Sequence, residues 1–117
     1  MLENIWRIED NPSWYSQHGH RVWTVLEVTF GVWPVASGHQ AGVVWTVDGW
    51  QTARWTPAGW AQNVPNAYGG YDEIWRASLN AGATPGPVPF WYALYIQDSQ
   101  GRRRWDNNGG WNYQHVV

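Results

Sequence analysis

Arg21-Val22-Trp23-Thr24-Val25-Leu26-Glu27-Val28-Thr29-Phe30 alternates along its whole length. Val22, Thr24, Leu26, Val28 and Phe30 fall on one side, and Trp23, Val25, Glu27 and Thr29 on the other, because successive side chains of an extended chain point to opposite faces. The stretch therefore predicts a strand with an apolar inner face. Downstream, Gly42 to Val47 is a second β-branched run, ending at the turn pair Asp48-Gly49 and leaving Trp50 at or just past a turn. Glu73 to Leu79 reads as another strand, and Phe90 to Gln97 as the strongest in the chain.

Turn chemistry joins these strands. Asp98-Ser99-Gln100-Gly101 predicts a hairpin into Arg102–Trp105, and Asn107-Asn108-Gly109-Gly110 a second one into a last strand over 111–117, Asn-Gly being the strongest short-range hairpin signal. Gln51 to Gly70 contains Pro57, Gly59, Pro65, Gly69 and Gly70 and reads as long connecting loops with at most short strands. Ile5 to Ile8 offers an N-terminal edge strand. No usable stretch has helical periodicity. The pattern predicts an all-β protein, an immunoglobulin-like antiparallel β-sandwich of about seven to eight strands. It forms one domain over 1–117, with 1–20 as an N-terminal arm or edge strand.

Composition narrows the function. A formal charge of −2 supplies no field to draw the chain to nucleic acid or an anionic membrane, and no run approaches the length of a membrane span. Neither partner is expected. The chain as given has no signal peptide, which fits a cytoplasmic protein or a module secreted within a larger one. Without cysteine there are no disulfides and no thiolate metal sites, and no cofactor is implied. Twelve tryptophans exceed what a core of this size can bury, so several are expected at the surface, where exposed aromatic rings signal a ligand or partner.

Trp105-Asp106-Asn107-Asn108-Gly109-Gly110-Trp111-Asn112-Tyr113 places flat rings beside carboxamides and a carboxylate. A pyranose needs that combination, having an apolar C–H face and a rim of hydroxyls that both donate and accept. The same residues also suit a tight turn in which Asn and Gly supply positive φ, and local chemistry leaves the two readings balanced. The closing Trp-Asp-Asn-Asn and following Asn-Tyr resemble the terminal motif of carbohydrate-binding module family 21. Val47-Asp48-Gly49-Trp50 and Asn66-Ala67-Tyr68-Gly69-Gly70 resemble further segments of that family in the same order, over about Val22 to Val116.

The resemblance implies a β-sandwich that binds α-1,4-glucans such as starch, glycogen and maltooligosaccharides, without catalysis, and that tethers an associated or fused enzyme to them. Carried over by position, it implies Trp50, Tyr92, Trp105, Asp106, Asn107, Asn108 and Asn112 as carbohydrate-binding residues, with Trp60, Tyr68 and Tyr71 as candidates for a second site. The chain departs from the family in having no lysine and in a longer loop around Trp55, Pro57 and Trp60.

Other constellations read as structural. His18 and His20 have the spacing to share a face but no third ligand nearby, which favours loop histidines over a metal site. Asp72-Glu73, an adjacent pair of acids, points to opposite faces of a strand, so it does not make a glycosidase dyad. Arg102-Arg103-Arg104 has the charge to hold phosphate, but as alternating residues of an edge strand it reads first as protection against edge-to-edge pairing. The rival reading from another class is a protein-interaction or self-association module that uses the exposed tryptophans as its patch.

Overall fold

The alternation that begins at Arg21 becomes burial: Thr24, Leu26, Val28, Phe30 and Val32 are fully enclosed, whereas Glu27 between them is exposed. The computed structural model describes the backbone of residues 4–17, 21–84 and 87–117 and the side chains of 24–82 and 87–117. His18 and His20 lie outside the described residues. The strands are β1 (Asn4–Gln17), β2 (Arg21–Trp33), β3 (Gln40–Thr46), β4 (Arg54–Pro57), β5 (Gly59–Pro65), β6 (Tyr71–Thr84), β7 (Pro89–Gln97), β8 (Arg103–Asp106) and β9 (Tyr113–Val116).

They form two antiparallel sheets, one in the order β1-β2-β6-β5 and the other β4-β3-β7-β8, with β9 also bonded to β7. This is an all-β sandwich of immunoglobulin-like strand order. Between the sheets lie Leu26, Val28, Phe30 and Val32 from β2, Trp75, Ala77 and Leu79 from β6, Val43 and Trp45 from β3, and Phe90, Tyr92, Leu94 and Ile96 from β7. Two ring pairs fill its wider parts, Trp45 on Phe90 at 5.6 Å and Tyr92 on Tyr113 at 5.5 Å between centroids. The buried Trp45 indole donates to Thr56 Oγ1 at 2.9 Å, which satisfies its N–H inside the core.

Two expectations need correction. The segment 51–70, expected as long loops with at most short strands, is mostly strand: the four-residue β4 and the seven-residue β5. They are edges of opposite sheets with Ala58 as the crossing point, its N–H donating to Ala41 O at 2.8 Å. An edge strand bonds on one side only, so Pro57 and Pro65 sit in these strands without breaking a ladder. The second correction concerns Asn107-Asn108-Gly109-Gly110, which joins no hairpin. β8 and β9 do not pair with each other; β8 runs opposite Leu94–Gln97 and β9 opposite Pro89–Tyr92, both antiparallel to β7. They are two halves of one edge strand, and residues 107–112 leave it opposite Ala93 and return.

The adjacent acids of β6 diverge, as strand geometry requires. Asp72 accepts from Asn66 Nδ2 at 3.1 Å, while the Glu73 carboxylate takes the Ala36 N–H, the Trp75 indole and His39 Nδ1 at 3.1, 3.1 and 2.7 Å. Glu73 thereby ties the β2–β3 connection to the sandwich.

Candidate functional site

On β7 the parity that seals Phe90, Tyr92, Leu94 and Ile96 in the core turns Trp91, Ala93, Tyr95 and Gln97 to the outer face of the second sheet. Tyr95 stands opposite Trp105 of β8, and on its other side opposite Gly42 of β3. Glycine there is a requirement of space: a Cβ on residue 42 would lie 2.3 Å from the Tyr95 hydroxyl and 2.5 Å from its ring. With nothing on Gly42 to block it, the phenol lies across the backbone of β3 and meets Trp55 of β4.

The result is a short aromatic strip, a compact triangle in which each of three rings touches the other two. Centroids of Trp55 and Tyr95 are 5.6 Å apart, Tyr95 and Trp105 5.3 Å, and Trp55 and Trp105 5.6 Å, with mutual inclinations of 57°, 51° and 73°. Trp55 is 52% and Trp105 46% exposed, so the strip is anchored by ring-to-ring contact and still open to water. Arg103, one outward position along β8, holds its guanidinium 5.1 Å from the centre of Tyr95 and 5.5 Å from that of Trp55, and donates from Nε to Gln97 Oε1 at 2.8 Å. Of the nine tryptophans whose side chains are described, five are exposed (Trp50, Trp55, Trp60, Trp105 and Trp111), in keeping with an excess over core capacity.

The residues expected from sequence divide. Trp105 is in the strip. Trp50 is exposed and follows Gly49 in a turn where both have φ of 70°. That turn is tied by Thr46, whose hydroxyl donates to Asp48 Oδ1 at 2.6 Å and accepts from the N–H groups of Asp48 and Trp50. Asp48 also accepts from Thr52 N–H, and its carboxyl is held below the usual range by the Thr46 hydroxyl first and that N–H second. Thr46 stands opposite Trp91, four positions from Tyr95 on β7, so the anchor of the Trp50 turn lies about 13 Å along the strand from the strip.

Tyr92 is a correction. It is 1% exposed, stacked on Tyr113 within the core, and offers no face to a ligand; it lies on the inner parity of the strand whose outer parity includes Tyr95.

Asp106, Asn107, Asn108 and Asn112 build the 107–112 excursion. Asp106 accepts the Tyr113 hydroxyl with both oxygens at 2.9 Å and the Asn108 N–H at 3.1 Å. Burial first, and the Asp106 carboxylate second, push the Tyr113 phenol well above its ordinary pKa. Asn107 Oδ1 accepts from Gly110 N–H, Asn108 Nδ2 donates to Asn112 O, and Asn107 O accepts the Asn112 N–H at 2.7 Å. Asn108, Gly109, Gly110 and Asn112 all have positive φ, so the turn reading of these residues describes what they do here. Trp111, which follows the 3-10 turn Asn108–Gly110, is 76% exposed.

Trp60, Tyr68 and Tyr71 lie at the β5–β6 side of the other sheet, all exposed, with no ring contact among them. Trp60 donates to Asn63 Oδ1 at 2.9 Å and borders a groove of about 330 Å³ with Val35, Ser37, His39 and Trp75, which Tyr68 and Tyr71 do not line. Among the described residues no group of three or more His, Cys, Asp or Glu is placed to hold a metal ion, and no helix is long and apolar enough to cross a membrane.

Fold and strip together define an antiparallel β-sandwich with a partly exposed aromatic cluster on one outer face. No known protein-family model matches the chain, and no curated protein does. Among solved structures it is similar to the solution structure of the carbohydrate-binding module of the muscle glycogen-targeting subunit of protein phosphatase-1, with 21% identity over 98% of this chain and 74% of that one and a TM-score of 0.45.

Proposed function

We propose that the chain is a non-catalytic module that binds α-glucans such as starch, glycogen or maltooligosaccharides, with Trp55, Tyr95 and Trp105 as the stacking surface and Trp50 as a further contact along the same sheet. The observation that carries this is the three-ring strip, in which Trp55 and Trp105 are exposed and Tyr95 is half-buried. Its rings are inclined to one another by 51° to 73°, which suits the curved path of an α-linked chain and not the flat ribbon of cellulose. Gln97 and Arg103 beside the strip supply hydrogen-bonding groups for a hydroxylated ligand. The closing motif that resembles carbohydrate-binding module family 21 supports the same assignment.

Stacking worth about 1 kcal/mol per ring beyond area burial, with hydrogen bonds netting about 1 kcal/mol each, sets an affinity on the order of micromolar to millimolar. So weak a site gains most from attachment to an enzyme acting on the same polysaccharide, where effective concentration supplies what affinity lacks. Affinity electrophoresis against glycogen, amylopectin, cellulose and xylan tests the assignment. Retardation by the first two is expected, together with at least a roughly tenfold loss in Trp105→Ala and an unchanged unfolding midpoint within about 1 kcal/mol. Undiminished retardation of the folded variant on amylopectin would remove the strip from the site.

A further inference from the structure

Among the described residues, the charge beside the strip has no counter-charge. Of the arginines of the β7–β8 hairpin, Arg102 is paired with Asp98 at 2.9 Å, and that carboxyl is held below its usual range, first by the Arg102 backbone N–H. The other acids at this sheet are also engaged: Asp106 receives the Tyr113 hydroxyl, and Asp48 closes the Thr46 turn. None of them reaches Arg103. The Nε of Arg103 donates to Gln97, a neutral amide at the position where a carboxylate would have cancelled the charge. Two rings and one amide fix the guanidinium plane, and its two terminal NH2 groups remain as a fork at the margin of the strip. A fork held in this way loses little freedom on binding and matches the paired oxygens of an oxyanion.

Building on the glucan-binding reading, we propose that the strip prefers a glucan chain bearing an oxyanion, with a sugar ring on the aromatic surface and a phosphate ester or carboxylate on Arg103. A neutral glucan offers this guanidinium only hydroxyl oxygens. An anionic substituent gives it a charged acceptor and restores the compensation that Gln97 withholds. Because Arg103 is exposed, the preference is modest and screened by salt.

The test is a titration of the intact chain with a maltooligosaccharide carrying one phosphate monoester and with the same oligosaccharide after phosphatase treatment, in low and in high salt. The phosphorylated ligand is expected to bind roughly fivefold more tightly in low salt, with the advantage shrinking as salt rises. In Arg103→Gln the ratio of the two affinities falls to about one; Arg103→Lys, which keeps the charge but not the fork, retains part of it. An oligouronide arm identifies the carboxylate as the source if it shows the greater advantage. Equal affinities in the wild-type chain, or an advantage that survives Arg103→Gln, would overturn this inference and leave glucan binding standing. Binding of neither oligosaccharide would overturn both.

Discussion

Tyr92 and Tyr95 are three residues apart on one strand, and their surroundings have little in common. Tyr92 is sealed between the sheets on Tyr113; Tyr95 lies on the outside across Gly42, against both Trp55 and Trp105, which also touch each other. The period of two decides which ring serves stability and which is available to a ligand. The inner and outer faces of the second sheet are both aromatic. They differ in what ends the row of rings, the opposite sheet in one case and water in the other.

The comparison can be broken most directly at its two poles. Tyr92→Ala is expected to cost about 3–5 kcal/mol in urea unfolding, whereas Tyr95→Ala costs about 1 kcal/mol and instead lowers glucan affinity roughly tenfold or more. Equal destabilisation by the two would show that the outer ring is core after all. A smaller effect sharpens the inner pole. Tyr113→Phe removes a hydroxyl bonded to a carboxylate and should cost about 1.5–3 kcal/mol. The native phenol has its pKa raised above the unfolded value of 10.0, so the stability it contributes is fully present below pH 10 and is lost as pH rises beyond that. The alkaline loss of stability from this group should therefore vanish in Tyr113→Phe, as read by unfolding midpoints across pH 8 to 11. Smallest in stability is Gly42→Ala, where the new methyl must displace the Tyr95 ring. It should cost about 1 kcal/mol while weakening glucan binding severalfold and changing the aromatic near-UV circular dichroism. Unaltered binding would mean that the Trp55–Tyr95 contact is dispensable.

Much of this frame is legible in the residues. The alternation of β2 and the apolar run of β7 are strong because each strand fills the core on one face, and there pattern and burial are the same fact. β5 is not legible in that way. Gln62 and Asn63 keep it polar, Gly59 and Pro65 bound it, and its existence depends on pairing with β6, which local sequence does not encode. The hairpin signal of Asn107-Asn108-Gly109-Gly110 is not realised, for a related reason. Its positive-φ residues do make a tight excursion, but the flanking strands find their partner in β7 and not in each other.

Trp105 is exposed, in keeping with its motif, whereas Tyr92, which the resemblance implies as a sugar contact, is buried. Tyr95 carried a usable signal, since it is out of phase with Phe90, Leu94 and Ile96 on the same strand. Trp55 carried none, because its segment looked like loop, and only the width of the sheet brings it to Tyr95. The role of Gly42 was equally hidden, being set by a ring that arrives from a neighbouring strand.

The split edge strand has an engineering consequence. The ladder to β7 is fastened at Asp106 before the excursion and again at Tyr113 after it, so the tip between them is decoupled from the register of the sheet. Residues inserted, removed or exchanged around Gly109 and Trp111 would alter what the tip offers to solvent, while both anchors keep every inward and outward position of β7 where it is. The molecule thus has an adjustable tip mounted beside a fixed sheet, and the surface that tip exposes can be retuned without renegotiating the fold.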